Sequence, residues 1–500
     1  MYECPNCGQN LKFDIARQQM HCDYCDTVMD PYAITEKHSA REVVDPAYTG
    51  TNAALIDEAA NAKPIETMQV HIYTCPQCGG EIVGDVNEAM VFCSFCGAST
   101  PLNERMTSIR RPEVIIPFKK TKEDCAREYK KLLTKAMFAP KELKDPKNIS
   151  GFRAIYMPYW VYDFTRNAAI TYSGKHCYHR GNYDYTDHYK VTTNISMQYN
   201  GVNYDASSSF SDNLSQAISP YEAKEAKPFT TAFMSGFYAD TMDVEPSVYE
   251  KEAKDIVCDH AADAIMQQQR SSKYTVEKES VKKALDPKTN KSVLAMFPVW
   301  FMSYKTTDKK GKERVLYSVI NGQTGKAAAD IPVDIRKYVI GSLILAIPLF
   351  IVFNMFLQLR PMFLSIAAAV ISIICMISLY AQSSQIAAKE MGSDDAGLSS
   401  INKRNKEYKQ ALKTREKWEA KSIWKANAAF FFVPIILCAL LILFKPVHDA
   451  YYYVTVIISG VCDCFMLTDI MRRYNKLATR PLPQFKKKGG DDSANITGNI

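Results

Sequence analysis

The chain has 500 residues, of which 47% are hydrophobic and 23% charged, and its formal net charge is +7. This length suffices for two to four domains with buried cores, and the composition excludes both an intrinsically disordered and a collagen-like chain. Residues 1–8 contain no basic stretch and no apolar stretch, so the sequence predicts no signal peptide.

Eight of the 15 cysteines form four Cys-x-x-Cys pairs in two matching sets near the N-terminus: Cys4, Cys7, Cys22 and Cys25, then Cys75, Cys78, Cys93 and Cys96. Without an export signal, such pairs favour metal over disulfides. Each set predicts a zinc ribbon with one tetrahedral Cys4 site, hence two zinc ions. Redox chemistry at one pair and iron in a tetrathiolate site are the alternatives.

The predicted fold class is multidomain: two small Cys4 zinc ribbons, a duplicated α+β cytosolic domain, and an α-helical membrane domain of four transmembrane helices. The predicted boundaries, in chain order, are zinc ribbon 1 at 1–30, a linker at 31–71, zinc ribbon 2 at 72–104, the duplicated α+β domain at 113–335, transmembrane hairpin 1 at 338–381, a cytosolic helical segment at 382–426, transmembrane hairpin 2 at 427–469, and a basic disordered tail at 470–500.

The duplication is predicted from a faint repeat, because residues 157–164 resemble residues 297–304. A helix precedes each copy: Thr121 is expected to cap the first, and Ser247 with Glu250 to form a capping box at the second. Each half is expected to hold a helix, a proline-containing strand and antiparallel hairpins. Proline is expected to confine these strands to sheet edges or strand starts.

Four apolar segments predict the transmembrane helices: residues 338–359, 362–381, 427–444 and 451–467. Segments of about 20 apolar residues span a bilayer, and short breaks pair them into hairpins. Nineteen Lys and Arg residues flank one side and two flank the other. By the positive-inside rule, both termini face the cytosol, and the chain is expected to be an integral protein of an inner (plasma) membrane.

Charge separates the two ribbons from the segment that follows them. Residues 1–30 and residues 72–100 each carry a net charge of −3, whereas residues 105–147 carry thirteen Lys and Arg against six acids. Acidic ribbons repel phosphate, so nucleic acid is disfavoured as their partner. A solvated basic face is the favoured interpretation of the basic segment, and lipid, nucleic acid or an acidic protein are its candidate partners.

Other candidate residues carry weaker signals. His176, Cys177, His179 and His188 cluster in a tyrosine-rich stretch, where a polar hairpin loop is favoured over a metal site. Asp463 lies inside the last apolar segment, and an intramembrane carboxylate is a functional hypothesis by default. Residues 322–326 lack the first glycine of a phosphate loop and predict a hairpin turn. No catalytic constellation is found, so the chain is expected not to be an enzyme.

Residues 75–80, 115–118, 157–160 and 321–326 resemble a bacterial family of membrane-anchored zinc-ribbon proteins. Members are often labelled as containing a transcription-factor-IIB-type zinc ribbon, and some as a primosomal helicase. The resemblance covers roughly residues 1–335. It implies zinc ligation by the eight knuckle cysteines and nothing catalytic; the helicase label does not fit a chain without the Walker lysine loop.

These observations predict a membrane-anchored, cytosol-facing zinc-ribbon adaptor that recruits or assembles protein partners, with the ribbons as docking surfaces. The bilayer is itself an expected partner. A first alternative is a membrane tether that binds nucleic acid through residues 105–147. A second alternative is an enzyme or transporter that uses Asp463 or the histidine cluster.

Overall fold

The computed structural model describes residues 2–33, 66–84, 93–98, 102–145, 149, 151–269, 274–307, 311–356, 360–402 and 406–483. Over these residues the chain forms sixteen β-strands: β1 Leu11–Asp14, β2 Gln19–Cys22, β3 Val28–Met29, β4 Thr67–Thr74, β5 Glu81–Gly84, β6 Asn103–Arg110, β7 Val114–Ile115, β8 Arg153–Arg180, β9 Tyr183–Asp205, β10 Lys227–Pro228, β11 Tyr238–Asp240, β12 Thr275–Val276, β13 Lys288–Thr307, β14 Glu313–Asn321, β15 Ala327–Ala329 and β16 Arg480–Pro481.

The described residues also form nine α-helices: α1 Lys122–Lys135, α2 Asp212–Ile218, α3 Ser247–Gln268, α4 Lys278–Leu285, α5 Ile335–Phe356, α6 Pro361–Glu390, α7 Ala396–Asn402, α8 Lys406–Phe444 and α9 Asp449–Leu477. Short 3-10 helices lie at Lys141–Lys144, Ala223–Glu225 and Thr231–Met234. Two Cys4 clusters, a central sheet with helices, and four long apolar helices confirm the predicted multidomain class.

Strands β1 to β3 form a small sheet of their own, and a 13-stranded sheet dominates the rest of the protein. We call this large sheet with helices α1 to α4 the central domain. Strand β4 pairs with both β5 and β6, and β5 pairs with β11 of the central domain. The second cysteine set is therefore built on strands of the central sheet. The predicted linker at 31–71 is too long, because β4 begins at Thr67 and buries Met68, Val70 and Ile72 in alternation.

The internal repeat is confirmed by strand register. Strands β8 and β13 pair antiparallel, with Met157 opposite Phe297, and these residues occupy equivalent positions in the two copies. A pseudo-twofold axis therefore passes through this pair. Each tryptophan indole bonds to a backbone carbonyl just before the helix of the other half: Trp160 Nε1 to Val244 O at 2.8 Å, and Trp300 Nε1 to Lys120 O at 2.9 Å.

The expected edge position of the two proline-containing strands is wrong, because β8 and β13 are central. Along β8, the short strand β11 pairs up to Tyr156 and the long strand β9 pairs from Tyr159, so Pro158 lies at the change of partner. Along β13, β7 gives way to β14 in the same manner around Pro298. Proline has no backbone N–H to donate, and each of these two prolines lies where one partner strand ends and the next begins.

The predicted helix caps have opposite outcomes. Thr121 caps α1 through the Asp124 backbone N–H, and the Asp124 side chain completes a capping box, as expected for this end. The prediction of a capping box at Ser247 is wrong. Pro246 there has helical backbone angles and takes the cap position, which makes Ser247 the first helical residue. The Glu250 carboxylate instead accepts a hydrogen bond from Thr289 Oγ1 at 2.6 Å.

Four helices (α5, α6, α8 and α9) are long and apolar enough to cross a membrane, which confirms the predicted number. Helices α6, α8 and α9 pack together around Leu379, Ile423 and Met466, and we call them the membrane bundle. No residue in the apolar window of α5 is buried inside the protein. Helix α5 therefore leaves that window for lipid or another membrane component to cover.

The prediction of a disordered tail from residue 470 is wrong for its described part. Helix α9 continues to Leu477, and β16 pairs with β14. Lys476 and Arg473 lie 2.6 and 3.7 Å from the Glu419 carboxylate, so these two cations of the predicted tail pair with a buried acid. The rest of the predicted tail, residues 484–500, lies outside the described residues.

The glycine-rich fragment forms the predicted turn, and it yields a stability prediction. A Cβ atom at Gly322 would lie 2.6 Å from Phe118 Cδ1 and 2.8 Å from Pro298 Cβ. We therefore expect Gly322→Ala to destabilise the protein by about 1–3 kcal/mol through overpacking. Thermal unfolding in detergent measures this. Gly460→Ala is the control, because its Cβ would meet open space; equal unfolding midpoints for the two variants would contradict the packing argument.

Candidate metal centres

The first cysteine set is formed by two turns on the small sheet β1 to β3. Backbone N–H groups of Gly8 and Asp26 donate to the carbonyls of Cys4 and Cys22 at 2.8 and 2.9 Å. Both donors have positive φ, +74° for Gly8 and +56° for Asp26, which glycine and aspartate tolerate better than most residues. The turns bring the four sulfurs within 4.8 Å of one another.

The second cysteine set repeats this construction on strands of the central domain. Gly79 and Gly97 donate to the carbonyls of Cys75 and Cys93 at 2.8 and 2.9 Å, again with positive φ. The Gly80 N–H also points to the sulfur of Cys78, at 3.4 Å. A hydrogen bond from Cys93 lowers the pKa of the Cys75 thiol to about 6, although burial opposes the shift.

The sulfur geometry of both sets fits a tetrahedral metal ion. Two Sγ pairs are 3.5 Å apart in the first set, Cys4–Cys25 and Cys7–Cys22. The corresponding pairs in the second set are 3.7 Å apart. A tetrathiolate site with metal–sulfur bonds of about 2.3 Å separates its sulfurs by about 3.8 Å. Each set can therefore hold one metal ion, and the structure brings together all eight cysteines that the sequence singled out.

The two centres differ sharply in burial. All four cysteines of the second set are buried, and Phe95 between them packs against Phe301 of β13 with ring centroids 5.9 Å apart. In the first set Cys25 is exposed and Cys7 half-buried. The neighbouring Tyr24 side chain is 78% exposed. The second centre is thus part of the interior, whereas the first faces outward.

The first centre nevertheless has a firm seat on the central domain. Phe13 packs edge-on against Phe233 at 5.1 Å, and its backbone N–H donates to the Ser235 carbonyl at 3.1 Å. Gln18 Nε2 donates to the Phe118 carbonyl at 2.6 Å. These contacts place one side of the first ribbon against the protein and leave its knuckle side free.

The histidine cluster is separated by strand pairing. His176, Cys177 and His179 lie on β8 and His188 on β9, in the outer part of the β8–β9 hairpin. His179 Nδ1 pairs with Asp184 Oδ1 at 2.8 Å. Among the described residues, groups of three or more metal-ligating side chains occur only at the two cysteine sets. The structure therefore supports a polar hairpin in this stretch and not a metal site.

Asp463 is buried between membrane helices. Its carboxylate accepts a hydrogen bond from the Ser372 hydroxyl of α6. One helical turn earlier, Ser459 is also fully buried. A hydrogen bond of this kind holds two transmembrane helices together. Through this hydrogen bond Asp463 joins α9 to α6.

The basic segment before and along α1 is partly neutralised. Lys131 and Arg127 form ion pairs with Glu128 and Asp124 on the same helix, the first at 2.7 Å. Lys119 lies 2.5 Å from Glu225. These pairs reduce the cationic surface that residues 105–147 offer to phosphate.

Sequence reasoning missed a charge network at the end of the membrane bundle. Glu390 contacts Arg314 of β14 at 2.7 Å and Arg415 at 3.7 Å. Glu419 contacts Arg415 at 3.3 Å and Lys476 at 2.6 Å. The partners come from four elements far apart in sequence. A signal was present: the segment 382–426 carries six acids interspersed among ten Lys and Arg residues.

One curated protein similar to this chain is the uncharacterized protein YdjG of Bacillus subtilis (strain 168), which is 25% identical over 340 residues. The alignment covers 67% of this chain and 91% of YdjG. No protein-family model matches the chain, and no solved structure matches it. The chain is thus a protein with two tetracysteine centres that can hold metal, a central sheet domain, and four apolar helices long enough to span a membrane.

Proposed function

We propose that this protein is a membrane-anchored zinc-binding adaptor that holds protein partners at the cytosolic face of the bacterial plasma membrane, without catalysing a reaction. The observation that carries the proposal is the contrast between the two metal centres. The second is enclosed by the central domain, while the first is seated on one side and exposed on the other. A rigid surface presented in this manner is suited to contact another molecule.

Zinc is the proposed metal at both centres. Four thiolates in a closed tetrahedral arrangement are a typical structural zinc site, and no ligand position is left open for a substrate. Such a site stabilises a small fold instead of performing chemistry. This supports an adaptor over a metalloenzyme.

The cytosolic orientation of the termini rests on the distribution of positive charge. Nineteen Lys and Arg residues flank the side of the termini and two flank the other, and cytoplasmic flanks of membrane helices carry this excess. A reducing cytosol also keeps free cysteines available as metal ligands. The four apolar helices then anchor the central domain at the inner face of the bilayer.

The exposed side of the first ribbon indicates the chemistry of the partner. Tyr24 and Val28 expose large side chains there, and Asp23 and Asp26 are both exposed. A Cys4 zinc centre adds about −2 of charge to a segment that is already acidic. A protein surface that combines basic residues with an apolar contact for the tyrosine fits this patch, since exposed aromatic residues dominate binding energy at interfaces.

The test uses full-length tagged protein purified from native membranes in mild detergent. We expect Tyr24→Ala to reduce the recovery of specific protein partners at least tenfold, with two zinc ions per chain retained. Tyr183→Ala is the control, because Tyr183 is 71% exposed at the distant hairpin tip. Unchanged partner recovery with Tyr24→Ala would overturn docking on the first ribbon. Nuclease-sensitive nucleic acid in place of protein partners would favour the tether through residues 105–147.

A further inference from the structure

A buried contact joins the central domain to the segment between the second and third apolar helices. Asp212 begins α2, and Asp395 directly precedes α7. The Asp212 N–H donates to Asp395 Oδ2 at 3.1 Å, and the Ala396 N–H donates to Asp212 Oδ2 at 2.6 Å. Each carboxyl group therefore accepts a hydrogen bond from the backbone at the start of the other's helix. The exchange ties together residues more than 180 positions apart.

A third carboxyl group lies beside this pair. Asp205 is 1% exposed, and its Oδ2 atom has no hydrogen-bond partner in the structure. Electrostatic interaction couples it to Asp212 and Asp395. A buried carboxylate oxygen without a partner is costly when charged. The unpartnered atom therefore points to a proton as the ligand that this cluster takes up.

The surroundings do not supply enough positive charge for three carboxylates. The titratable groups that face the cluster are Tyr159 of β8, Tyr204 of β9, Tyr249 of α3, Asp394 beside Asp395, and Arg480 of β16. Among these groups of the described chain Arg480 is the one cation. The Tyr249 hydroxyl donates to Asp212 Oδ1 at 2.6 Å, which satisfies one oxygen but adds no charge.

Titration of the cluster follows from this arrangement. Burial, with the nearby Asp212 charge, raises the pKa of Asp395 to about 7. Burial and the charges of Asp212 and Asp395 raise the pKa of Asp205 well above its ordinary value, and burial also raises the pKa of Asp212. An acid whose pKa is raised in the closed contact takes up a proton as the contact forms.

We propose that the Asp212–Asp395 contact, with Asp205 beside it, is a proton-operated latch between the central domain and the membrane helices. The latch is closed while the cluster holds a proton from solvent and loosens when that proton leaves. Stabilisation of the closed form is complete near and below the ordinary aspartate pKa of about 4 and is lost as the pH rises towards about 7. Since α7 and the end of α6 flank Asp395, opening frees the segment that connects the two pairs of apolar helices. This inference does not depend on the adaptor proposal.

The test is amide hydrogen exchange of the full-length protein in detergent between pH 5.5 and 8, corrected for the intrinsic pH dependence of exchange. We expect protection of the amides in residues 396–400 to fall by tenfold or more over this range. Asp205→Asn removes one charge and neither reciprocal hydrogen bond, so protection at pH 8 should be higher than in the wild type. The amides of residues 75–80 report whether the second metal centre stays folded at each pH.

Asp187→Asn is the control variant, because Asp187 is exposed on the distant hairpin, and it should retain the wild-type profile. Wild-type protection of residues 396–400 that is independent of pH would overturn the latch. So would an Asp205→Asn protein, with two metal ions per chain, whose pH dependence matches that of the wild type. Both readouts are independent of any binding partner.

Discussion

Replacing Cys75 with serine is expected to release one of two bound metal ions and to unfold the central sheet, whereas Cys4→Ser releases one ion and leaves that sheet folded. The two centres have nearly the same sulfur geometry, so the difference comes from their surroundings. Strands β4 and β5, which carry the second centre, pair within the 13-stranded sheet. Structural zinc contributes on the order of 10 kcal/mol, which is comparable to the whole stability of a domain.

Metal content per chain and chemical unfolding of the detergent-solubilised protein measure both variants. Cys258→Ser is the matched control, because Cys258 is a buried cysteine on α3 outside both centres; it should retain two metal ions. A folded Cys75→Ser protein with one metal ion would show that the sheet does not depend on its metal centre. Equal destabilisation by Cys4→Ser and Cys75→Ser would contradict the expectation that the central sheet depends on the buried centre and not on the exposed one.

The second large effect is expected at Glu419, whose side chain is 3% exposed and lies within 4 Å of three cations. Glu419→Gln keeps the shape but removes the carboxylate that Arg415, Arg473 and Lys476 share. Arg415 keeps Glu390 and Arg473 keeps Asp469, whereas Lys476 loses its ion-pair partner. Removing the buried partner of an ion pair costs about 3–5 kcal/mol. We therefore expect a marked fall in the unfolding midpoint of the membrane bundle, measured by thermal unfolding in detergent.

Glu416→Gln is the control for this change, because Glu416 lies on the same helix with its side chain only half-buried. It is expected to change the free energy of unfolding by less than about 1 kcal/mol, as is usual for partly exposed charges, and so to leave the unfolding midpoint nearly unchanged. If the two variants unfold alike, the charges around Glu419 are neutralised by solvent and the network does not hold the bundle.

The charge network also connects the membrane bundle to the central domain. Arg314 of β14 reaches Glu390 at the end of α6, and its guanidinium group also donates to Thr479 Oγ1 at 2.7 Å. Together with the Asp212–Asp395 contact, it gives the central domain two attachments to the membrane helices. These two attachments hold the central domain, with the first ribbon seated on it, in a defined position relative to the apolar helices.

Local patterns in the sequence determined the features whose chemistry repeats at short range. Four Cys-x-x-Cys pairs predict two tetrathiolate centres, because each pair needs only one turn to aim two sulfurs at the same point. Apolar runs of about 20 residues predict four membrane helices, because a helix satisfies its own backbone in lipid. The repeated tryptophan motif predicts the duplication before any contact is known.

The tertiary structure alone decided how these parts are joined. The second ribbon was expected to be a separate module, yet β4 and β5 belong to the central sheet, because β5 pairs with β11, which is far from it in sequence. Pro158 and Pro298 were expected at sheet edges, and only strand pairing shows that each lies where one partner strand replaces another. Lys476 and Arg314 likewise find their acidic partners on elements distant in sequence. The same holds for Asp395, which contacts Asp212. Pairing and burial of this kind depend on which distant segments meet, and no local spacing encodes that choice.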